Sequence, residues 1–391
     1  MNYYELSLEL HEKHTGKISV SSKVDLNNRD DLSIAYTPGV SEPCRKIHSN
    51  PDDVYKYTAK SKLVAIVSDA SAVLGLGNIG PAAAIPVMEG KAILFKAFGD
   101  VDGFPICLDT QDPDEIVNAV KMIAPVFGGI NLEDICAPKC FDIEARLKKE
   151  LDIPVFHDDQ HGTAIVVTAA LINALKLTGK KIEDVRIVLN GPGAAGTAII
   201  NMLVSVGASH IIACDTAGIL YNGRTVKMSP HKQRLCEITN TECLRGDLSE
   251  AVKGADVFIG VSTADVLTPE MVETMNDEPI VFAMANPSPE ISYENAMNSK
   301  IRIFGTGRSD YPNQINNVLA FPGVFKGALS VRASEINDTM KIAAANAIAA
   351  VVSDAELRED YVIPGAFDAR VADAVSQAVA SAAVATGVAR V

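Results

Sequence analysis

The sequence predicts an α/β protein of two domains with mostly parallel β-sheets, and three observations support this prediction. Short apolar runs typical of buried strands alternate with longer helical patterns along most of the chain. The chain has 391 residues, and a single hydrophobic core usually stops growing at roughly 250–300 residues. After Gly323 the sequence is rich in alanine and helical in its periodicity. We therefore expect two α/β domains, with a helical tail at the C-terminus.

The first domain is predicted to span residues 1–160. Its first 35 residues are polar and partly helical by pattern, and Pro81 opens a helix because proline is well suited to the first helical turn. The predicted strands cover residues 63–67, 92–97, 104–108 and 153–156, with another beginning at 128–130. Further helices are predicted at 113–124 and 142–150.

The second domain is predicted to span residues 161–391. A long apolar helix at 163–177 leads into it, and a helix at 194–206 follows its first strand. Its predicted strands cover residues 185–189, 211–214, 257–260, 280–283 and 303–306. Pro364-Gly365 interrupts the helical tail.

The composition argues against several classes of partner. The formal net charge is −14 at pH 7, so nucleic acid and anionic membranes are not expected as partners. No apolar run approaches the roughly 18 residues of a membrane span. The N-terminus lacks the basic start and apolar stretch of a signal peptide. Seven cysteines at irregular spacings are expected to be reduced thiols, so we expect a cytoplasmic protein.

One glycine motif predicts a dinucleotide site. Residues 191–196 read Gly-Pro-Gly-Ala-Ala-Gly, which matches G-x-G-x-x-G between a predicted strand and a predicted helix. Such glycines let the backbone approach a pyrophosphate, and the helix N-terminus attracts its charge. Asp215 ends the next strand, about 20 residues on, where a carboxylate can accept from ribose hydroxyls. The second domain is therefore expected to be Rossmann-type, with the cofactor bound by Gly191, Gly193, Ala194, Ala195, Gly196 and Asp215.

Another glycine motif, closer to the N-terminus, matches the same pattern. It reads Gly75-Leu76-Gly77-Asn78-Ile79-Gly80, and Asp100 follows at a similar distance. Several residues separate its first glycine from Asp69, which ends the preceding strand, so this turn is not tight. The pattern leaves both motifs as candidates and favours residues 191–196.

Two acidic pairs follow predicted strands of the first domain. Glu133-Asp134 and Asp158-Asp159 are expected at the carboxyl ends of parallel strands, where such folds bind ligands. Three converging carboxylates suit Mg²⁺ or Mn²⁺, which prefer oxygen ligands. Taken alone, each acidic pair is more often part of a solvated turn or a helix cap. His157 and His161 have a spacing that zinc sites use on helices, but Gly162 and the preceding strand favour a turn here.

Other polar residues have possible chemical roles. Lys91 is expected to begin a buried strand, where a lowered pKa would let the amine act as a base. Tyr36 lies before a Thr-Pro-Gly turn and could donate a proton. Asn286 and Asn317 follow or precede apolar segments, where their amides could hold a carboxylate or a carboxamide, or simply form turns.

Taken together, the motifs resemble those of the malic enzyme family, in its small-subunit prokaryotic form. The matching stretches run in order over most of the chain. They are Tyr36-Thr37-Pro38-Gly39-Val40, 74–80, Met88-Glu89-Gly90-Lys91, Asn131-Leu132-Glu133-Asp134, 156–163, Ala285-Asn286-Pro287 and Asn316-Asn317.

The resemblance implies an activity and a set of roles. The activity is oxidative decarboxylation of malate to pyruvate and CO₂ with reduction of NAD or NADP. The family implies that Mg²⁺ or Mn²⁺ is held by Glu133, Asp134 and Asp159. It also implies Lys91 as general base beside Asp158, and Tyr36 as general acid. Further, it implies that Asn286 and Asn317 bind the substrate carboxylate or the nicotinamide end of the cleft, and that the dinucleotide binds the second glycine motif along the chain.

Several points stay open at this stage. Larger eukaryotic members carry an arginine ahead of the first glycine motif, where this chain has Ser71-Ala72-Val73. Asp215 favours NAD, although Arg224, Lys227 and Lys232 could reach the 2′-phosphate of NADP. A malolactic enzyme or an oxaloacetate decarboxylase would need nearly the same site, whereas an amino-acid dehydrogenase or a catalytically silent module would not need these carboxylates. The family also implies a homodimer.

Overall fold

Two β-sheets form the centres of the fold. The computed structural model describes residues 2–391, apart from the side chain of Leu74. The first sheet is entirely parallel in the order β2-β1-β3-β4. Its strands are β1 (Leu63–Ser68), β2 (Asp102–Cys107), β3 (Gly129–Leu132) and β4 (Val155–His157).

The second sheet has the order β10-β9-β8-β5-β6-β7, and β7 pairs antiparallel to β6 whereas the other pairs are parallel. Its strands are β5 (Arg186–Asn190), β6 (His210–Asp215), β7 (Gly218–Ile219), β8 (Val257–Gly260), β9 (Ile280–Ala283) and β10 (Ile303–Thr306). The strands that follow β5 in the sequence lie first on one side of it, with β6, and then on the other, with β8. Open α/β sheets bind their ligands at such a change of side.

Helices cover both sheets and also form the two ends of the chain. They are α1 (Tyr3–His14), α2 (Arg29–Ala35), α3 (Ser41–Ser49), α4 (Val54–Tyr57), α5 (Pro81–Gly99), α6 (Pro113–Ile123), α7 (Lys139–Glu150), α8 (Asp158–Thr178), α9 (Ala194–Ser205), α10 (Pro230–Ile238), α11 (Leu248–Ala251), α12 (Pro269–Glu273), α13 (Tyr293–Met297), α14 (Phe321–Ser330), α15 (Asp338–Val351) and α16 (Arg370–Ala385).

Helix α8 joins the two halves through the largest hydrophobic core. Most of its side chains are buried, on several faces at once, because it packs between other helices rather than at the surface. By length and composition this helix could cross a membrane, but 67% of its most apolar stretch is buried inside the protein, as in the core helix of a soluble domain.

The C-terminal helices return to the first sheet. In α14, the Phe325 ring lies 5.3 Å from Phe95 of α5 and 5.8 Å from Phe156 of β4. All three rings are fully buried. The predicted boundary between residues 160 and 161 falls inside α8, so the two halves share an uninterrupted helix.

The structure confirms the predicted α/β class and corrects two local predictions. Residues 92–97 are not a strand but lie within α5, whose long helix begins at Pro81 as expected. The prediction of a strand failed because Ala92-Ile93-Leu94-Phe95 is a short apolar run that suits a buried strand and a buried helix equally well. Helix α8 begins at Asp158, five residues before the predicted start at 163, so the acidic pair lies in a helix rather than a turn.

Candidate active site

The candidate site lies at the carboxyl ends of β3 and β4. In the parallel pairing of these strands, Leu132 is the register partner of His157. The residues that follow, Glu133 and Asp158, therefore leave the sheet side by side. Asp158 and Asp159 form the first turn of α8, where the helix dipole stabilises negative charge.

Three carboxylates predicted from the sequence meet at this edge. Glu133, Asp134 and Asp159 each present a carboxylate oxygen within 4.8 Å of the others. Glu133 and Asp134 are buried, and the backbone N–H of Asp134 donates to Asp159 Oδ2 at 2.8 Å. Buried like charges at this spacing repel each other unless a cation offsets them, and an all-oxygen donor set fits Mg²⁺ or Mn²⁺. The geometry therefore fits the predicted metal site.

Lys91 is brought to the same edge, but from a helix. Its side chain extends from α5, and Nζ lies 2.9 Å from Glu133 Oε1 and donates to Asp158 Oδ2 at 2.5 Å. The ammonium also lies 4.1 Å from the centre of the Phe321 ring, in a cation–π contact. The predicted strand position of Lys91 was wrong, while its predicted neighbour Asp158 is confirmed.

The electrostatics at Lys91 differ from the prediction. Burial lowers the pKa of Lys91, but attraction to Asp158 and Glu133 outweighs it and raises the pKa above its ordinary value. Burial, opposed by Lys91, raises the pKa of Asp158 to about 7, and burial also raises the pKa of Glu133. Lys91 is thus held as an ammonium, and Asp158 is the partner able to take up one of its protons.

Asn317 reaches the site from the second half of the chain, whereas Asn286 lies beside the first glycine motif. Asn317 Nδ2 donates to Asp158 Oδ2 at 2.6 Å, so it contacts the catalytic candidates directly. Asn286 follows β9 and is exposed. A Cβ added to Gly75 would lie 3.2 Å from the Asn286 carbonyl oxygen, so the first glycine motif approaches this loop across the cleft. The first glycine motif therefore lies against the loop that carries Asn286.

Tyr36 is the predicted residue that a single chain does not bring to the site. Its side chain is 66% exposed at the C-terminal end of α2. Within the described part of the chain, its phenol makes no hydrogen bond, and its ring makes no contact with another ring or a cation. The general-acid assignment therefore finds no support from contacts within one chain.

The second glycine motif has the geometry of a phosphate-binding loop. It connects β5 to α9, and Gly191 has φ = +102°, a conformation that side chains rarely adopt. A Cβ on Gly196 would lie 2.2 Å from the Gly191 carbonyl oxygen, so only glycine permits this helix to pack against the loop. The first turn of α9 has no side-chain cap, so its N–H groups are available to an anion.

Asp215 ends β6 as predicted, but its carboxylate already has two cationic partners. Arg224 Nη2 lies 2.5 Å and Lys232 Nζ 2.6 Å from Asp215 Oδ2. Burial would raise the pKa of Asp215, but the hydrogen bonds from Arg224 and Lys232 outweigh it and lower the pKa. Lys227 Nζ donates to the nearby Thr216 hydroxyl at 2.7 Å. The ribose end of the cleft therefore carries more positive than negative charge.

Sequence reasoning missed two buried glutamates that support the site. Glu144 of α7 accepts from the backbone N–H of His157 at 3.2 Å and lies 2.8 Å from His161 Nε2, which fixes the first turn of α8. Glu290 accepts from the backbone N–H groups of Ser262 and Ala285 at 2.8 and 3.0 Å, and so holds the loops after β8 and β9. Glu144 could have been found from the sequence, because it occupies an apolar-face position among Cys140, Ile143 and Leu147.

The ring of His161 contacts the buried Glu144 carboxylate. Among the described residues, the three-carboxylate group includes neither His157 nor His161. Burial lowers the pKa of His161 to about 4, against the attraction of Glu144, so its ring is neutral near pH 7 and serves the Glu144 contact.

A glycine loop with the geometry of a dinucleotide site, together with a buried lysine beside three convergent carboxylates, is typical of a two-domain, dinucleotide-dependent oxidoreductase. Comparison with known families agrees. The model of the malic enzyme N-terminal domain matches residues 15–148, and that of the malic enzyme NAD-binding domain matches residues 160–386. This chain belongs to the malic enzyme family.

The most similar relatives align along nearly the whole chain. A bifunctional malic/malolactic enzyme of Bacillus subtilis is 58% identical, covering 100% of this chain and 95% of the relative. An NAD-dependent malic enzyme of Geobacillus stearothermophilus is 57% identical, covering 96% and 78%. The crystal structure of malic enzyme from Pyrococcus horikoshii superimposes with a TM-score of 0.95 at 50% identity, covering 99% and 92%. Relatives named as NADP-dependent, at 46–48% identity, are about twice as long as this chain.

Proposed function

We propose that this protein oxidises malate with a nicotinamide dinucleotide and decarboxylates the product to pyruvate and CO₂. The observation that carries the proposal is the buried Lys91–Asp158 pair beside three convergent carboxylates, in a chain that also holds a loop with dinucleotide-binding geometry. A proton acceptor, a cation site and a hydride-acceptor site are the three parts that this reaction needs.

The chain contains residues suited to hold both a metal ion and a dinucleotide. Glu133, Asp134 and Asp159 would hold Mg²⁺ or Mn²⁺, and the loop 191–196 would hold the pyrophosphate. When bound, the cation would supply Lewis-acid stabilisation of negative charge on the substrate oxygens, and the nicotinamide would accept a hydride.

Lys91 and Asp158 act together on the substrate hydroxyl. Transfer of one ammonium proton to Asp158 leaves a neutral amine on Lys91, which then accepts the proton of the malate 2-hydroxyl as the C2 hydride leaves. Asn317 donates to Asp158 and keeps this carboxylate oriented toward Lys91. When the C3–C4 bond breaks and CO₂ departs, the electron pair of that bond stays on the rest of the substrate. C3 then accepts a proton, and we assign the donation of this proton to Tyr36.

We propose that the cofactor site accepts NADP as well as NAD. The preference for NAD rested on Asp215 as an unpaired carboxylate that repels a 2′-phosphate. Because Arg224 and Lys232 both contact this carboxylate, the repulsion is offset, and Lys232 keeps donors that could turn to a phosphate.

The malolactic reaction is the second candidate, since a 58% identical relative is named a bifunctional malic/malolactic enzyme. It would use the same residues, but the hydride would return to the pyruvate carbonyl before release, so the product would be lactate. Identification of the product separates the two activities.

The test measures reduction of the cofactor by its absorbance, with malate and Mn²⁺, in separate reactions with NAD and with NADP. The product of each reaction is then identified. We expect metal-dependent reduction with pyruvate as product.

Lys91→Ala is expected to abolish reduction while Mn²⁺ binding, measured by calorimetry, is retained. Lys96→Ala is the matched control, because Lys96 lies on the same helix with its side chain 58% exposed. Retained malate oxidation in Lys91→Ala would contradict the assigned base, and lactate as the sole product would favour the malolactic reaction.

We also propose that the protein acts as a homodimer. The support is the set of apolar side chains exposed near the N-terminus, among them Val20, which is 89% exposed, and Ile34, which is 75% exposed.

A further inference from the structure

The first turn of α10 reaches two parts of the candidate dinucleotide site. Its Lys232 contacts Asp215 at the end of β6, as described above. The preceding residue, His231, is buried and contacts the glycine loop instead. Two adjacent side chains of one short helix thus touch the ribose end and the pyrophosphate end of the same site. His231 therefore belongs to the surroundings of the cofactor loop, although no sequence motif marks it.

His231 holds the carbonyl group of Pro192 within the glycine motif. Its Nε2 lies 3.3 Å from the Pro192 carbonyl oxygen. The other end of the same peptide is also held, because the N–H of Gly193 donates to the Gly191 carbonyl oxygen at 2.8 Å. With both its C=O and its N–H bonded, this peptide is fixed in one orientation. The Pro192 oxygen therefore stays turned to α10 and does not swing toward a bound phosphate, which it would repel.

The hydrogen bonds of the His231 ring define one tautomer. A carbonyl oxygen only accepts, so Nε2 must carry a hydrogen and donate it to Pro192. Burial lowers the pKa of His231, so the ring is neutral near pH 7 and its Nδ1 is an acceptor. The Ser229 hydroxyl lies 3.0 Å from Nδ1 and can donate to it. The ring is therefore fixed with its N–H donor directed at the loop.

Ser229 is the N-cap residue of α10, yet it does not cap this helix. N-cap serines commonly accept from a backbone N–H of the first turn. Within the described chain the Ser229 side chain makes no such bond, and its hydroxyl contacts the His231 ring instead. The hydroxyl is thus used to orient the ring, at the cost of a cap that commonly contributes about 1 kcal/mol.

The His231 ring also packs against the first half of the chain. The ring of Phe141, on α7, lies 4.9 Å from it, with 42° between the two planes. Three residues further along α7 is Glu144, which contacts the His157 N–H and the His161 ring at the start of α8. One imidazole therefore links the cofactor loop to the helix that supports the candidate metal site.

We propose that His231 is a positioning residue for the dinucleotide, which fixes the peptide between Pro192 and Gly193 and ties the glycine loop to α7. The inference rests on the proposed function, because it assumes that this loop binds the pyrophosphate. A histidine that only filled space could be replaced by another ring of similar size. A positioning residue also needs the hydrogen on Nε2, and this difference can be tested.

The test compares two substitutions at residue 231 by fluorescence titration with NADH and with NADPH. His231→Phe keeps a ring against Phe141 but removes the donor, whereas His231→Gln keeps an N–H donor of similar reach but removes the ring. We expect His231→Phe to weaken binding of both reduced dinucleotides by about five- to tenfold, since the hydrogen bond that orders the loop is lost. His231→Gln should recover the affinity to within about threefold of the wild type. In turnover, His231→Phe should raise the KM for the dinucleotide with little change in kcat, because the residue shapes the binding loop but touches no reacting atom.

A second pair of variants tests the contacts around the ring. Ser229→Ala removes the hydroxyl that fixes the tautomer and should weaken dinucleotide binding by about two- to threefold. Phe141→Leu removes the ring of α7 from the imidazole and should weaken it by about as much. His210→Phe, at the exposed first residue of β6 in the same half of the chain, is the matched control and should leave the affinity unchanged.

Wild-type affinity in His231→Phe overturns the proposal. Equal weakening in His231→Phe and His231→Gln overturns it as well, because the donor would then have no role of its own. Unchanged binding in Phe141→Leu overturns the link to α7. If His231→Phe fails to fold, Ser229→Ala decides, and unchanged affinity in that variant overturns the proposal. A wild-type protein that binds neither NADH nor NADPH would overturn the proposed function, and this inference with it.

Discussion

At the scale of single residues, Asp215 shows how neighbours change the role of a carboxylate. A carboxylate in this position can accept from ribose hydroxyls, and alone it would repel a 2′-phosphate. Arg224, 3% exposed in its side chain, also donates to the carbonyl oxygen of Gly218 at 3.0 Å, so it is fixed in place. Lys232 is more exposed and approaches from α10. We infer that Lys232 is the cation that distinguishes the two cofactors.

We therefore expect Lys232→Gln to weaken NADP binding by roughly tenfold or more, since a charge-assisted hydrogen bond to phosphate is lost. NAD binding should change by less than about threefold, because Asp215 keeps Arg224 as its partner. Titration of each reduced dinucleotide by fluorescence measures both affinities. Lys253→Gln, at a surface ion pair with Glu250, is the control and should leave both unchanged. Equal loss of NAD and NADP would contradict this role.

The site could be predicted in part from single residues. Glu133, Asp134 and Asp159 follow apolar runs, and the ends of parallel strands meet at one edge, so their convergence follows from the pattern. The charge state of Lys91 could not be predicted, because it depends on Asp158 and Glu133, which are distant in sequence. For the same reason, Glu290 gave no recognisable signal, since its partners are backbone N–H groups of two separate loops.

At the scale of elements, the turn from β5 into α9 depends on close backbone packing. Gly196 lies against Gly191, whereas a Cβ on Gly193 would meet nothing within 4 Å. The two glycines thus belong to one motif but serve different purposes. Gly196 lets the helix pack, and Gly193 leaves space for a ligand.

We expect Gly196→Ala to destabilise the protein by about 1–3 kcal/mol, as overpacking commonly does, because the new methyl group would push α9 from the loop. Gly193→Ala should leave the free energy of unfolding nearly unchanged but weaken dinucleotide binding, since its methyl group would occupy the ligand's space. Denaturant unfolding and a dinucleotide titration on both variants separate the two effects. Unchanged stability in Gly196→Ala would show that the loop can adjust.

Most elements of the second sheet could be predicted to within one or two residues, because β8, β9 and β10 are short, fully buried apolar runs. The prediction failed at α5, where the pattern of the helix is apolar on all sides. Ala92 and Phe95 are buried while Ile93 is exposed, so periodicity gave no clear choice between helix and strand.

At the scale of the whole molecule, the chain is not a simple sequence of two domains. Its C-terminal helices complete the core of the first domain, where Phe325 packs against Phe95 and Phe156. The sequence predicted the helices of this tail, but the surface against which they pack could not be predicted, since alanine-rich helices suit many neighbours.

Phe325→Ala is expected to destabilise the protein by about 3–5 kcal/mol, because it leaves a cavity where α14 meets Phe95 and Phe156. The first half should lose as much stability as the second, since both share this core. Calorimetric unfolding measures this, with Phe367→Ala as the control because Phe367 is 89% exposed. An early separate transition for the C-terminal helices alone would contradict the shared core.

The contact between Phe321 and Lys91 has a consequence for how the protein is made. A ribosome releases the first sheet and Lys91 long before it reaches residue 321. Until then, the lysine and its carboxylate partners have no aromatic ring against them, and Phe95 and Phe156 have no partner from α14. The interior of the first half of the newborn chain therefore stays partly open until α14 is synthesised. The candidate active site is completed only then, although most of the residues that form it are translated earlier.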